Sequence, residues 1–218
     1  MAELSRLNYL NALAYIFNAG VTYTIGANVD ASIKYQTLVT PVGFAFAIWG
    51  IIFISQLIFV IIQLLPAYRS NPLVTHGIGY KYIAACLAQA AWCPAFSVYE
   101  ITWLALVFML TILFFLVMIV KDQYQLQDDT ITIRDFLLLK FPFAIHCGWI
   151  AAASLISVNV VLVASNVGPT GQYVAAILSL ACVVAAAGFC IGFLVPPHYV
   201  IPFVLAWAAV SDDDDGVQ

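Results

Sequence analysis

Charge is what this chain has least of: seven Lys and Arg and eleven Asp and Glu serve 218 residues, 8% of the whole. Apolar residues make up 64%, a balance with which no water-soluble domain of this size covers its surface. The chain is therefore read as integral to a membrane. Its net charge is −4, but four of the acids are the run Asp212 to Asp215. The remainder is near neutral and carries no basic stripe, which excludes DNA and RNA as partners.

Other scarcities narrow the chemistry. The five cysteines, Cys86, Cys93, Cys147, Cys182 and Cys190, all fall in apolar runs and none forms a Cys-x-x-Cys pair. That argues for small core residues and against a disulfide frame or a metal site. No carboxylate pair lies within a span, no glycine-rich phosphate loop opens a helix, and the serines inside spans lack a His and acid partner. A catalytic function is not expected, although a bound cofactor could supply reactivity that the side chains do not. The N-terminus, MAELSRLNYL, is neither Arg-rich nor followed by a small-residue cleavage site. Either no targeting segment is present or the first span acts as the signal.

What the chain does have is long apolar runs. Phe44 to Leu65 contains no ionisable side chain, and about 22 residues at about 1.5 Å each match the roughly 30 Å hydrocarbon core of a bilayer. Its start, PVGFAFAIW from Pro41 to Trp49, is aromatic, and Phe44, Phe46 and Trp49 are either interfacial anchors or the lining of a ligand site. Before it, residues 7–26 form a first span with Asn8, Asn11 and Asn18 on one side, a polar stripe that faces other helices or a cavity rather than lipid. After it come spans at 79–97, 101–120, 141–164 and 172–194, and a short apolar run at 199–210 ahead of an acidic tail, 211–218. The segment 121–135 is the most polar internal stretch and is expected in water. The fold class predicted is all-α, a single polytopic transmembrane helical bundle of about seven spans, with six spans and a re-entrant end as the rival.

If the spans alternate, one side receives Arg6, Arg69, Lys81, Lys121, Arg134 and Lys140 and the other only Lys34. This bias predicts an N-terminus on the cytosolic, matrix or stromal side and the acidic tail opposite. Gly188 and Gly192 in the sixth span form a G-x-x-x-G, extended by Ala181 and Ala185, which predicts close helix packing inside the bundle or between the subunits of a homo-oligomer. Glu100 sits at a tight hairpin near the interface and reads as solvated.

Three stretches carry a resemblance. TPVGFAFAIWGIIF in the second span, AQAAWCPAF in the third and KFPFAIHCGWIAAASLISVN in the fifth, in that order, resemble the TspO/MBR family of tryptophan-rich sensory and translocator proteins. The similarity is to its longer branch, in which further C-terminal helices follow a TspO-like five-helix core, and YVIPFVLAWAAV resembles that branch's last helix. Phe44 stands where short members commonly have tryptophan, and Gln89 where asparagine is usual.

The resemblance implies a pocket for a flat hydrophobic ligand, a tetrapyrrole (porphyrin, haem or chlorophyll) or a sterol. Positions matching such a pocket are Phe46 and Trp49, Gln89 and Trp92, and His146 and Trp149. Planar ligands stack on indole and phenyl faces while a few polar groups orient them, but aromatic stripes also serve packing. His146 shares a helix face with Pro142 and Trp149. An imidazole at that depth is an axial ligand to a haem or chlorophyll, a donor to a propionate, or a residue hydrogen-bonded to a neighbouring helix. The reading is thus a non-enzymatic protein that binds, senses or carries a hydrophobic planar ligand. Its rival is an accessory subunit of a large photosynthetic (photosystem or antenna) or respiratory complex, in which His146, Gln89 and Asn159 would be pigment ligands.

Overall fold

A computed structural model describes residues 4–26, 30–126 and 131–210, and the regular structure in those residues is helical. The acidic tail lies outside the described residues. Helix α1 (Arg6–Thr24) opens at Ser5, whose N–H and hydroxyl both donate to Asn8 Oδ1, at 3.1 and 2.8 Å. Such a reciprocal cap fixes where the helix begins. After the short α2 (Asp30–Lys34), a 3-10 turn at Gly43–Ala47 runs into α3 (Ile48–Ile62). Then follow α4 (Lys81–Ser97), α5 (Thr102–Gln125), α6 (Ile133–Asp135), α7 (Phe141–Ala164), α8 (Pro169–Gly192) and α9 (Val200–Ala208). A π-helical turn, Phe136–Lys140, joins α6 to α7.

Among the described residues, four stretches are long and apolar enough to cross a membrane: Gly43–Ile62, Thr102–Gln125, Ile133–Ala164 and Pro169–Gly192. Helices α1 and α4, of 19 and 17 residues, are more polar because each carries buried amides. Helix α9 has nine residues, about 14 Å at the usual rise, less than half a hydrocarbon core.

Most helix boundaries fall within about three residues of the sequence reading, and the end of the fourth span differs by more. Helix α5 does not stop at Val120 but continues to Gln125. Its buried residues, Ala105, Met109, Ile112, Leu116, Ile119 and Gln123, step by four and three, so Gln123 continues the inner face. There its amide donates to Leu139 O at 2.7 Å, and the next-door Asp122 pairs with Lys81 at 2.7 Å. Polarity alone does not expel a helical turn whose polar groups are paired.

Lipid is as apolar as leucine, so the helices are held by packing and internal hydrogen bonds rather than by exclusion of water. Phe59 of α3, Tyr82 of α4 and Phe143 of α7 meet edge-to-face with centroids 4.9 to 5.7 Å apart, a geometry worth about 0.5–1.5 kcal/mol per pair. The asparagine stripe of α1 faces inward, as expected. Asn8 Nδ2 donates to Gln63 O at 3.3 Å, Asn11 Nδ2 to Gln63 Oε1 at 3.2 Å, and Gln63 Nε2 returns to Asn8 O at 3.2 Å. Helix α8 stands outermost, with only Ala176, Ser179 and Cys190 buried, and is tied to α7 by Asn159 Nδ2 donating to Ser179 Oγ at 2.8 Å. Among the described residues, nothing beyond the helix's own neighbouring backbone lies within 4 Å of a Cβ built on Gly188 or Gly192, so that G-x-x-x-G does not serve packing inside the described bundle.

Helix α9 lies against α7, and the approach is close. A Cβ on Gly148 would sit 2.9 Å from Val204 Cβ and 3.3 Å from Ile201 Cα. At its far end Trp207 Nε1 donates to Ala45 O at 3.0 Å, and its ring meets Phe44 edge-on at 5.5 Å. The bundle's two ends are unlike. Asn8 reaches the carbonyl of Arg69, Arg134 lies over Tyr68 and Lys81 meets Asp122 at one end, while Lys34 pairs with Glu100 at the other.

Candidate functional site

The aromatic start of α3 points into a cavity of about 100 Å³. Phe46 and Trp49 form one wall, Trp92 and Phe96 of α4 another, and Trp149, Ala153 and Ile156 of α7 a third, with Met109 of α5 between them and Tyr35 and Thr40 over the mouth. Helical spacing explains the pairs: Trp92 and Phe96 are one turn apart and stack at 5.4 Å with planes 14° apart. Trp149 receives the edges of Phe46, at 5.5 Å, and Trp49, at 6.1 Å. Of the expected residues, Phe46, Trp49, Trp92 and Trp149 are therefore brought together. Phe44 is not; it is 56% exposed and serves as the seat of Trp207.

Trp149 is one of the lining residues with an unsatisfied polar atom. It is 2% exposed, yet its indole N–H has no partner among the described residues. A buried donor left unmade costs about 1–3 kcal/mol, a cost that a ligand carbonyl or ether oxygen would relieve.

His146 and Gln89 are not among the lining residues. His146 lies behind Trp49, ring centroids 5.9 Å apart, and is 2% exposed. Its Nδ1 is 2.8 Å from Gln56 Nε2, and Tyr82 donates its hydroxyl proton to Gln56 Oε1 at 3.1 Å. In this relay Gln56 bridges Tyr82 and the imidazole, and His146 Nε2 has no partner among the described residues. Gln89 is 1% exposed with Oε1 unpartnered among the described residues. The sequence reading missed Gln56 and Tyr82, although a lone amide inside an apolar span is itself a signal. It also missed Tyr35, Phe96 and Met109, which only tertiary packing brings to the cavity.

The cavity is partly open, and one of its lining residues, Tyr35, is tethered to the α4–α5 hairpin. Tyr35 donates its hydroxyl to Glu100 Oε2 at 2.9 Å, and Lys34 pairs with the same oxygen. Glu100 occupies the α4–α5 hairpin with φ 51°. The hydrogen bond from Lys34, then that from Tyr35, lowers the Glu100 carboxyl below its ordinary range, and the same contacts raise Lys34. Glu100, read from sequence as merely solvated, is a tether at the solvent edge.

The cavity does not fit a tetrapyrrole. Its volume of about 100 Å³ is well below the roughly 300–1,000 Å³ of sites that enclose drug-sized ligands, and the imidazole that would bind a central metal is not among its lining residues. Among the described residues no group of three His, Cys, Asp or Glu is placed to hold a metal ion.

A model of the family described as TSPO-like protein matches residues 7–211. Neither the curated proteins nor the solved structures compared with the chain give a match. The match takes in all the helices from α1 to α9, including every cavity wall, and the chain belongs to the TSPO-like protein family.

Proposed function

We propose that this membrane protein is a non-enzymatic binding protein for a flat, mainly hydrophobic molecule carrying one hydrogen-bond acceptor, held in the aromatic cavity. The observation that carries the reading is the cage of Phe46, Trp49, Trp92, Phe96 and Trp149 around an apolar space into which a buried, unpartnered indole donor is built. Ring faces grip planar ligands without regard to polarity, and a single N–H sets the in-plane orientation. A space of about 100 Å³ is smaller than the roughly 150 Å³ that encloses benzene, so two or three fused rings occupy it only by extending through its open side. A tetrapyrrole or sterol is admitted only when the Tyr35–Thr40 connection lifts from Glu100. His146 acts as a positioning residue, setting Trp49 through the Gln56 and Tyr82 relay, rather than as an axial ligand.

The test is calorimetric titration of the detergent-purified protein with 9-fluorenone, a planar tricycle with one carbonyl. Saturable binding that Ala153→Phe abolishes supports the reading; equal binding by both proteins contradicts it. In the same proposal α1, α3, α4, α5, α7 and α8 cross the bilayer and α9 is a short seventh member, with the N-terminus on the cytosolic, matrix or stromal side. An N-terminal tag accessible to protease only from the opposite compartment would overturn that orientation.

The accessory-subunit reading draws on a different observation, the open Gly188/Gly192 surface of α8. Without partners inside the chain, such a surface suits a helix of another subunit, in a homo-oligomer or a larger complex. Cross-linking between Gly188→Cys variants in intact membranes tests the homo-oligomer.

A further inference from the structure

The face that α8 and α9 add to the bundle carries two cavities that share a wall. The first, about 490 Å³, is an apolar slot at membrane depth between Leu113 and Val117 of α5, Ala151 of α7, and Ala186 and Phe189 of α8. Lys121 closes one end of it. The second, also about 490 Å³, lies where the α5 end, the turn before α7 and the Pro196–Tyr199 turn meet, and is lined by Thr132 and Lys140 among others. Tyr124 and His198 belong to both. The turn that separates them is fixed, with His198 N–H donating to Cys190 O at 2.9 Å and Tyr124 to Pro196 O at 3.2 Å.

An apolar slot beside a more polar chamber, the two sharing Tyr124 and His198, has the plan of an amphiphile, and each half is of ligand size. The sign of the polar half is also set. It lies at the end of the bundle where six of the seven basic residues gather, two of them, Lys121 and Lys140, in the cavity walls. His198 Nδ1 is buried and unpartnered among the described residues. Burial, and then the neighbouring Lys140 charge, lower the basicity of His198, so at neutral pH it offers a neutral ring as a hydrogen-bonding group.

We propose that this composite cavity binds one anionic phospholipid, its acyl chain in the slot between α5, α7 and α8 and its phosphate where the two cavities meet at Tyr124 and His198, with Lys121 of the slot wall and Lys140 of the chamber wall as the flanking cations. The site is separate from the aromatic cavity, and its walls include helices that a five-helix core lacks. A zwitterionic headgroup brings its own ammonium to these lysines and loses the advantage that each lysine near the membrane surface gives an anionic lipid, roughly fivefold in affinity.

The experiment is native mass spectrometry of the delipidated full chain, titrated in detergent with phosphatidylglycerol or phosphatidylcholine of identical acyl chains. One phosphatidylglycerol per chain should be retained in preference to phosphatidylcholine. Lys121→Gln should weaken phosphatidylglycerol roughly fivefold and leave phosphatidylcholine unchanged, with Lys121→Arg restoring the preference. Ala186→Phe, which fills the slot, should lower retention of both lipids. Equal retention of the two lipids by the wild type, displacement of phosphatidylglycerol by cholesterol, or indifference to Lys121→Gln would overturn the proposal. Lys121 is exposed, so its substitution decides the matter even if Ala186→Phe fails to fold.

Discussion

Gln56 shows how one side chain can hold three helices. It lies on α3 and bridges Tyr82 of α4 and His146 of α7. Gln56→Leu strands both partners in an apolar interior, and the cost of two buried polar groups is about 1–3 kcal/mol each. Thermal unfolding in detergent should show a clear fall in midpoint, and the Gln56→Leu, His146→Leu double variant should lose less than the sum of the singles. Additive losses would mean that the two residues do not act together. Trp149 has the opposite status: Trp149→Phe removes a donor that has no partner, so stability should hold or rise slightly while fluorenone affinity falls about 2–10-fold. His146 was visible in the sequence as a rare intramembrane imidazole. Its task was not, because the amide that occupies it sits 90 residues away.

At the scale of elements, the short last helix and the tether carry the sharpest expectations. Helix α9 meets α7 across Gly148, where any side chain collides with Val204 and with the backbone of Ile201. Gly148→Ala forces the two helices apart at a cost of about 1–3 kcal/mol, and Gly148→Leu should free α9 enough for proteolysis near Val210. Proteolysis unchanged from the wild type would show that the contact does not hold α9. The sequence announced α9 as an apolar run, but its nine helical residues and its seat at Ala45 depend on α7 and α3. For the tether the pH window follows from the shifts. Glu100 is lowered, so its contribution is complete above the ordinary carboxyl value of 4.5 and is lost as pH falls through its depressed folded value. Lys34 is raised from 10.5, so its contribution is complete below that value and is lost as pH rises beyond it. Acrylamide quenching of tryptophan should therefore be flat across neutral pH and rise in acid, and Glu100→Gln should show the raised quenching at neutral pH. Both partners are solvent-exposed, which makes this a contact easily opened by a ligand.

For the whole molecule, composition was a sufficient guide to the medium and period to most of the helices. Phe141–Ala164 coincides with the expected fifth span, since no charged residue interrupts it. What composition concealed was where polar residues go: Gln123 stays helical because Leu139 accepts its proton, and Lys34 and Glu100, far apart in sequence, meet over the cavity mouth. The aromatic residues read as either anchors or lining divide by geometry, Phe44 outward and Phe46, Trp49, Trp92 and Trp149 inward. We propose this inward set as a binding cage beside the Tyr35–Glu100 tether. Its most direct measurement is a pair of calorimetric titrations, of 9-fluorenone and protoporphyrin IX, into the wild type, Ala153→Phe and Glu100→Gln. The account predicts that fluorenone binds the wild type and Glu100→Gln but not Ala153→Phe, and that protoporphyrin binds more tightly to Glu100→Gln than to the wild type. Fluorenone binding that survives Ala153→Phe would contradict it.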